Sequence, residues 1–182
     1  MNKNTGNYQP AIAVIFSILG IIVPIIFHML GMGSVFLPMF IPLAAGAFLM
    51  NPGYALLTGI MTPLFSALLT GMPPFYPPVA ILMMIELGAF CFLISFLKKK
   101  TGLKNIAILA IAVAAERVLM IVLYYFIMPL FNINFGVISF YAVMKSLPGI
   151  ILMFIIIPLF VPAASAVIEK RRLRLYEFSE EE

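Results

Sequence analysis

The sequence predicts an all-α integral membrane protein, a compact bundle of six transmembrane helices with both termini in the cytoplasm. Three observations predict it. Of 182 residues, 64% are apolar and only 10% charged, with no Trp and a mean hydropathy of +1.15, too little polar surface to clothe a soluble domain in water. Apolar runs of membrane length recur along the whole chain. Lys and Arg gather in clusters that all fall on one side of six crossings.

The runs lie at about 10–29, 36–50, 54–70, 79–97, 105–127 and 139–168. The first begins at Pro10 and lacks a small-residue cleavage pattern, so it is expected to be a retained span and not a signal peptide. The second has only about 15 residues and contains Pro38 and Pro42. It is expected to be tilted, broken or sheltered by neighbours, and short Pro-interrupted segments point to a transporter's binding region. The third, fourth and fifth have ordinary lengths for a span. The sixth exceeds what a bilayer needs and carries Pro148, Pro158 and Pro162, which predicts a kink or an emerging cytoplasmic end. Residues 1–170 then form a single membrane domain and 171–182 a charged cytoplasmic tail ending "EFSEEE". No length remains for a separate soluble domain.

Charge sets the orientation. Lys3, Lys98, Lys99, Lys100, Lys104, Lys170, Arg171, Arg172 and Arg174 all fall on one side, and the opposite loops at about 30–35, 71–78 and 128–138 carry no Lys or Arg. That side is the cytoplasmic one by the positive-inside rule, which locates the chain in the cell membrane as a multi-pass protein. The net charge of +4 thereby follows from topology and gives no argument for nucleic acid. One cysteine, Cys91, excludes an internal disulfide and a cysteine-rich metal site.

The only histidine, His28, falls at the outer mouth of the first span. It shares that face with "TGMPPFYPP" (Thr70 to Pro78) and "MPLFNINFG" (Met128 to Gly136), which have no formal charge. Such a surface suits a small, flat, mostly neutral solute. His28, Tyr76, Phe75, Asn132 and Asn134 are candidates to stack on or hydrogen-bond it, and an interfacial histidine bonded to a loop carbonyl is the competing reading of His28. One His and one Cys without a nearby carboxylate make a poor metal shell. The 13 Met residues sit mostly in apolar runs, where Met fills space, which weighs against haem or a corrinoid.

Glu86, Glu116, Arg117 and Lys145 lie inside spans, where each costs about 2.5–3.5 kcal/mol on insertion scales unless it faces the bundle interior. Counting from the outer ends puts Glu86 and Lys145 at a matching depth of roughly 9–10 Å, so they are expected to pair. Arg117 is long enough to snorkel toward Glu86. Glu116 and Arg117, about 100° apart on one helix, are not expected to satisfy each other fully. Two readings stand: an ion-pair network that locks helices, and side chains that also bind a solute. Their charges sum to zero, which favours a neutral or zwitterionic solute. The small residues Ala13 and Ser17, Ala44 to Ala47, and Gly59 predict close helix approach, within the chain or to a partner helix.

The stretch "PMFIPLAAGAFLMNPGYALLTGIMTPLFSALLTGMPP" (Pro38 to Pro74), the "MMIELGAF" at Met83 to Phe90 and the "AAERVLM" at Ala114 to Met120 resemble the substrate-binding S component of energy-coupling factor (ECF) type ABC transporters. The resemblance implies a subunit that captures a vitamin or related micronutrient from outside. It implies toppling in the membrane while docked on a transmembrane coupling subunit, driven by two ABC ATPases. Such a subunit is not an enzyme and has no cofactor of its own, since the partner ATPases use the ATP. The sequence contains no G-x-x-x-x-G-K-[ST] loop. The resemblance also implies docking through Ala-x-x-x-Ala on the first helix, represented here by Ala13 and Ser17. The family's nickel and cobalt branch uses an N-terminal Met-x-His, and "MNKNTG" sets metal substrates aside. Substrate contacts are assigned to His28, Tyr76, Glu86, Arg117, Asn132 and Lys145, and a pyridoxine-like or hydroxymethylpyrimidine-like heterocycle is the expected solute.

Three alternatives remain from other classes. A membrane-embedded enzyme is disfavoured by the single histidine. A self-sufficient secondary transporter would use Glu86 or Glu116 as proton relay, but no internal repeat supports it. The third is a purely structural scaffold.

Overall fold

The computed structural model of the chain describes residues 8–32, 36–131 and 135–180, with 135–143 and 171–180 described by backbone alone. Six helices account for nearly all of it: α1 (Gln9–Met29), α2 (Phe40–Ala47), α3 (Pro52–Thr70), α4 (Val79–Lys100), α5 (Asn105–Ile127) and α6 (Phe135–Glu180), with a 3₁₀ turn over Met128–Phe131 after α5. Five of the six are long and apolar enough to cross a membrane, α6 through its segment Met144–Lys170. The protein is therefore all-helical with the architecture of a multi-pass membrane protein.

The exception is α2. Its 8 residues rise only about 12 Å against a hydrocarbon thickness of about 30 Å. All but Ile41 are buried, so the sheltered segment expected from Pro38 and Pro42 is present but shorter than the apolar run. The shortening is local. Leu37 adopts a left-handed backbone at φ 47°, uncommon for a branched side chain, and turns the chain just ahead of Pro38. At the other end Asn51 is extended, as the residue before a proline prefers, and Pro52 opens α3 from its first turn.

The other long helix differs from its expected bounds in the opposite sense. The 46 residues of α6 run continuously past Pro148, Pro158 and Pro162 to Glu180, about 69 Å. Residues 171–180 thus continue the helix beyond the membrane-length segment. Arg, Leu and Glu favour helix, and no Gly or Pro follows Pro162.

Packing radiates from α2, which contacts α1, α3, α4 and α6, while α5 packs on α4 and α6. The side chains of Leu43, Ala44 and Ala47 are fully buried. Close approach depends on glycine at two facing places: a Cβ on Gly59 of α3 would strike the backbone of Leu87, and one on Gly88 of α4 would strike the Ile60 side chain. Polar side chains tie the helices from inside. Thr62 Oγ1 lies 3.1 Å from Ser17 Oγ on α1, and Ser95 Oγ donates to Met50 O at 2.6 Å.

Hydrogen bonds gather the lysine-bearing end. Asn51 N–H donates to Gln9 Oε1 at 2.6 Å, Lys99 Nζ donates to Asn51 Oδ1 at 3.3 Å, and Lys98 Nζ donates to Asn105 Oδ1 at 2.9 Å. The start of α1, the α2–α3 turn and the α4–α5 turn therefore share one end. His28, Thr70 and the segment 71–78 occupy the opposite end, where the Tyr76 ring stands edge-on to Phe131 at 5.9 Å.

Gly59→Val should destabilise the detergent-purified protein by about 1–3 kcal/mol through overpacking, read as a lower thermal midpoint. Gly53→Ala, where an added Cβ meets nothing, should leave the midpoint close to wild type.

Candidate functional site

A cavity of about 790 Å³ opens at the end of the bundle away from Lys98–Lys100. The last turns of α1 supply Pro24, His28 and Met29, the approach to α2 supplies Leu37–Phe40, and the end of α3 supplies Ser66 and Thr70. Met72–Pro74 close one side, and Val79 and Met83 stand on the first turns of α4. The local reason for this wall is helix termination. Gly71 ends α3 in a left-handed cap at φ 71°, its N–H on Ala67 O, as C-terminal glycines do. The chain then turns back through Met72–Pro78 with Ser66 Oγ donating to Met72 O at 2.7 Å. The peptide bonds Met72–Pro73 and Tyr76–Pro77 are both cis.

Behind the cavity lies a buried charge cluster. The Phe40 ring belongs to the cavity wall, and the Arg117 guanidinium carbon stands 5.9 Å from the centre of that ring, within range of a cation–π contact. Arg117 Nε pairs with Glu116 Oε2 at 2.6 Å, and its Nη1 donates to Ser146 Oγ at 3.2 Å. Glu86 and Glu116 are each only 3% exposed, and Oε1 of each has no hydrogen-bond partner. Tyr124 stands within electrostatic reach of Glu86, Glu116 and Arg117.

The expected candidates separate into groups. His28 is at the cavity. Glu86 and Arg117 are in the cluster behind it. Glu86 also extends the α4 face of Val79 and Met83 one turn deeper, since residues three and four apart share a helix face. Tyr76 is 75% exposed and engages Phe131 at the same end, outside the cavity wall. Asn132 and Asn134 lie outside the described residues. Ala13 and Ser17 are half-buried, with Ser17 turned toward Thr62 of α3, while bulky Val14, Ile15, Ile18 and Ile22 form the exposed face of α1.

The pairing differs from the expectation. Glu86 has Glu116 and Arg117 as charged neighbours in place of the expected Lys145, which is half-buried on α6. Matching depth fixes only the level along the membrane normal, and α4 packs on α2, α3 and α5 while α6 packs on α2 and α5. The adjacent residues Glu116 and Arg117 pair instead, and incompletely, as their angular separation implies.

Ser66, Thr70, Phe40, Tyr124 and Ser146 are contributors that the sequence analysis does not single out. Spacing was the available signal. Ser66 and Thr70 are four apart on α3, and Glu116, Met120 and Tyr124 recur every four residues on α5, which places each set on one face. The chain matches no protein-family model, no curated protein and no solved structure.

In chemical terms the cavity can enclose a small, mostly apolar solute with a few directed polar contacts, the general character of ligand sites. The cluster behind it fixes α5 against α6 and supports the Phe40 face. Glu116→Ala should cost about 3–5 kcal/mol, the penalty for stranding one partner of a buried pair. Ser146→Ala should cost about 1 kcal/mol. Chemical or thermal unfolding in detergent would rank the two.

Proposed function

We propose that the chain is the solute-capture subunit of an ECF-type importer, taking up a vitamin-like heterocycle across the cytoplasmic membrane. One observation carries the reading: most of the cavity wall comes from Pro38 through Met83, the same stretch whose sequence resembles ECF S components. The cavity opens at the end remote from the lysines, which is the outer face when the positive-inside rule sets the orientation. Solute enters past His28 and the Met72–Pro74 segment, exchanges its hydration for the few polar groups of the wall, and is then passed inward by the partner module. Separate ATPase subunits supply the energy. Ala13 and Ser17 remain the proposed contact with the coupling subunit, on a face that α3 already shares through Ser17.

Native mass spectrometry of the gently purified chain, followed by identification of any released compound, tests the proposal. A stoichiometric heterocycle supports it, and an empty chain that no added vitamin stabilises counts against it. His28→Ala should weaken binding of that compound about tenfold, the equivalent of one hydrogen bond, with the thermal midpoint of the empty protein unchanged. Unchanged affinity would assign His28 to the loop structure.

A second reading, a self-sufficient proton-coupled transporter, is favoured by the unpartnered Oε1 atoms of Glu86 and Glu116 within the bundle. Proton-driven uptake by vesicles containing this chain alone would select it.

A further inference from the structure

We infer that the cavity is an acceptor-lined site for an uncharged heteroaromatic solute that brings its own N–H or O–H donors and carries neither phosphate nor carboxylate. The inference rests on the solute-capture reading and adds the chemistry of the solute.

Among the described residues the wall is short of donors. Pro24, Pro38, Pro73 and Pro74 line it and have no N–H to offer. Ser66 commits its hydroxyl hydrogen to Met72 O at 2.7 Å, and Thr70 commits its own to Ser66 O at 2.7 Å. Thr70 Oγ1 also accepts the Met72 N–H at 3.2 Å. Both hydroxyls are therefore left with lone pairs only. The N-termini of α2 and α4 border the cavity, and such termini ordinarily hold anions. Here the chain itself occupies several of their donors: Phe40 N–H lies on Leu37 O, Val79 N–H on Pro77 O and Ala80 N–H on Pro74 O. The imidazole of His28 is the remaining side-chain donor among the lining residues.

The rest of the wall selects for a flat ring. Met29, Met39, Met72 and Met83 bring four thioethers to the cavity, polarizable groups that pack well against aromatic edges. None of the described lining residues is Asp, Glu, Lys or Arg. Arg117, behind the Phe40 ring, is held by Glu116, and Glu86 adds a second carboxylate on that side. An anion entering the cavity would lose its hydration and meet lone pairs in return. A donor-bearing neutral ring would meet acceptors already oriented for it.

The test compares matched pairs on the full-length chain in detergent, by isothermal titration and thermal stabilisation. The pairs are pyridoxine with pyridoxine 5′-phosphate, and 4-amino-5-hydroxymethyl-2-methylpyrimidine with its phosphate ester and its 4-dimethylamino analogue. At least one unphosphorylated ring should bind, its phosphate should bind at least about 100-fold more weakly, and dimethylation of the amino group should cost at least about tenfold. Thr70→Val should lower the affinity for the free ring several-fold while Thr70→Ser, which keeps the oxygen, restores it. Equal or tighter binding of a phosphate ester overturns this inference and leaves the capture reading in place. Failure of every compound to bind overturns both.

Discussion

Burial of the short helix α2 is the constraint on which the rest of the structure depends. A backbone segment inside a bilayer must satisfy its own polar groups, and a helix of 8 residues leaves a large share of them outside its internal ladder. The fold answers by surrounding α2 with protein. The Leu43 N–H donates to Met39 O and the Phe48 N–H to Ala44 O at its ends, Cys91 Sγ sits 3.8 Å from Leu43 O, and Ser95 caps the carbonyl of Met50 just beyond. The run Ala44–Ala47 is what allows α1, α3, α4 and α6 to approach together, because small residues let helix backbones close without lipid between them. Gly46 illustrates the tolerance: an added Cβ would meet the Phe16 ring of α1.

The cavity follows from the same constraint. A helix that rises about 12 Å within a layer of about 30 Å leaves the remaining depth without its share of helix, and the neighbours cannot collapse into it while α1 and α3 run their full 21 and 19 residues. The space above the N-terminus of α2 is therefore walled by long helices on its sides and roofed by the Met72–Pro74 segment. In membrane proteins non-helical backbone at depth is tolerated where it lines a cavity or is buried in protein; Leu37–Met39 lines the cavity, and Pro38 and Met39 are also buried. Structure and site are thus two aspects of one short helix.

Helix existence was legible in the sequence because apolar length and the positions of Pro, Gly and Lys bound each run. The bounds of α5 coincide with the expected 105–127, set by Lys104 at one end and the Pro129-containing turn at the other. The Pro38 and Pro42 pair marked α2 as the irregular element. What sequence could not supply was azimuth. Depth along the membrane suggested Glu86 with Lys145, whereas the rotation of α5 about its axis makes Glu116 and Arg117 the charged neighbours of Glu86 and turns Arg117 toward Ser146. The same limit hid Ser66 and Thr70, ordinary small polar residues whose importance comes from facing the cavity and from where their hydroxyl hydrogens go. The continuation of α6 beyond residue 170 reflects good helix formers outweighing the charge that marked a tail.

Phe40 joins the two polar regions of the molecule. One side of its ring belongs to the cavity and another to Arg117 and to Phe90, whose ring centre lies 5.5 Å away. Phe40 packs on the guanidinium that the Glu116–Arg117–Ser146 contacts hold, and those contacts connect α5 with α6. The coupling is mechanical and local: a packed ring has discrete places to go, so its position is transmitted more sharply than a contact across water would be. None of these charges lines the cavity. This arrangement explains why a donor-poor, uncharged wall is compatible with a charge cluster one ring away. Phe40 both lines the cavity and packs against the arginine, which itself does not line it.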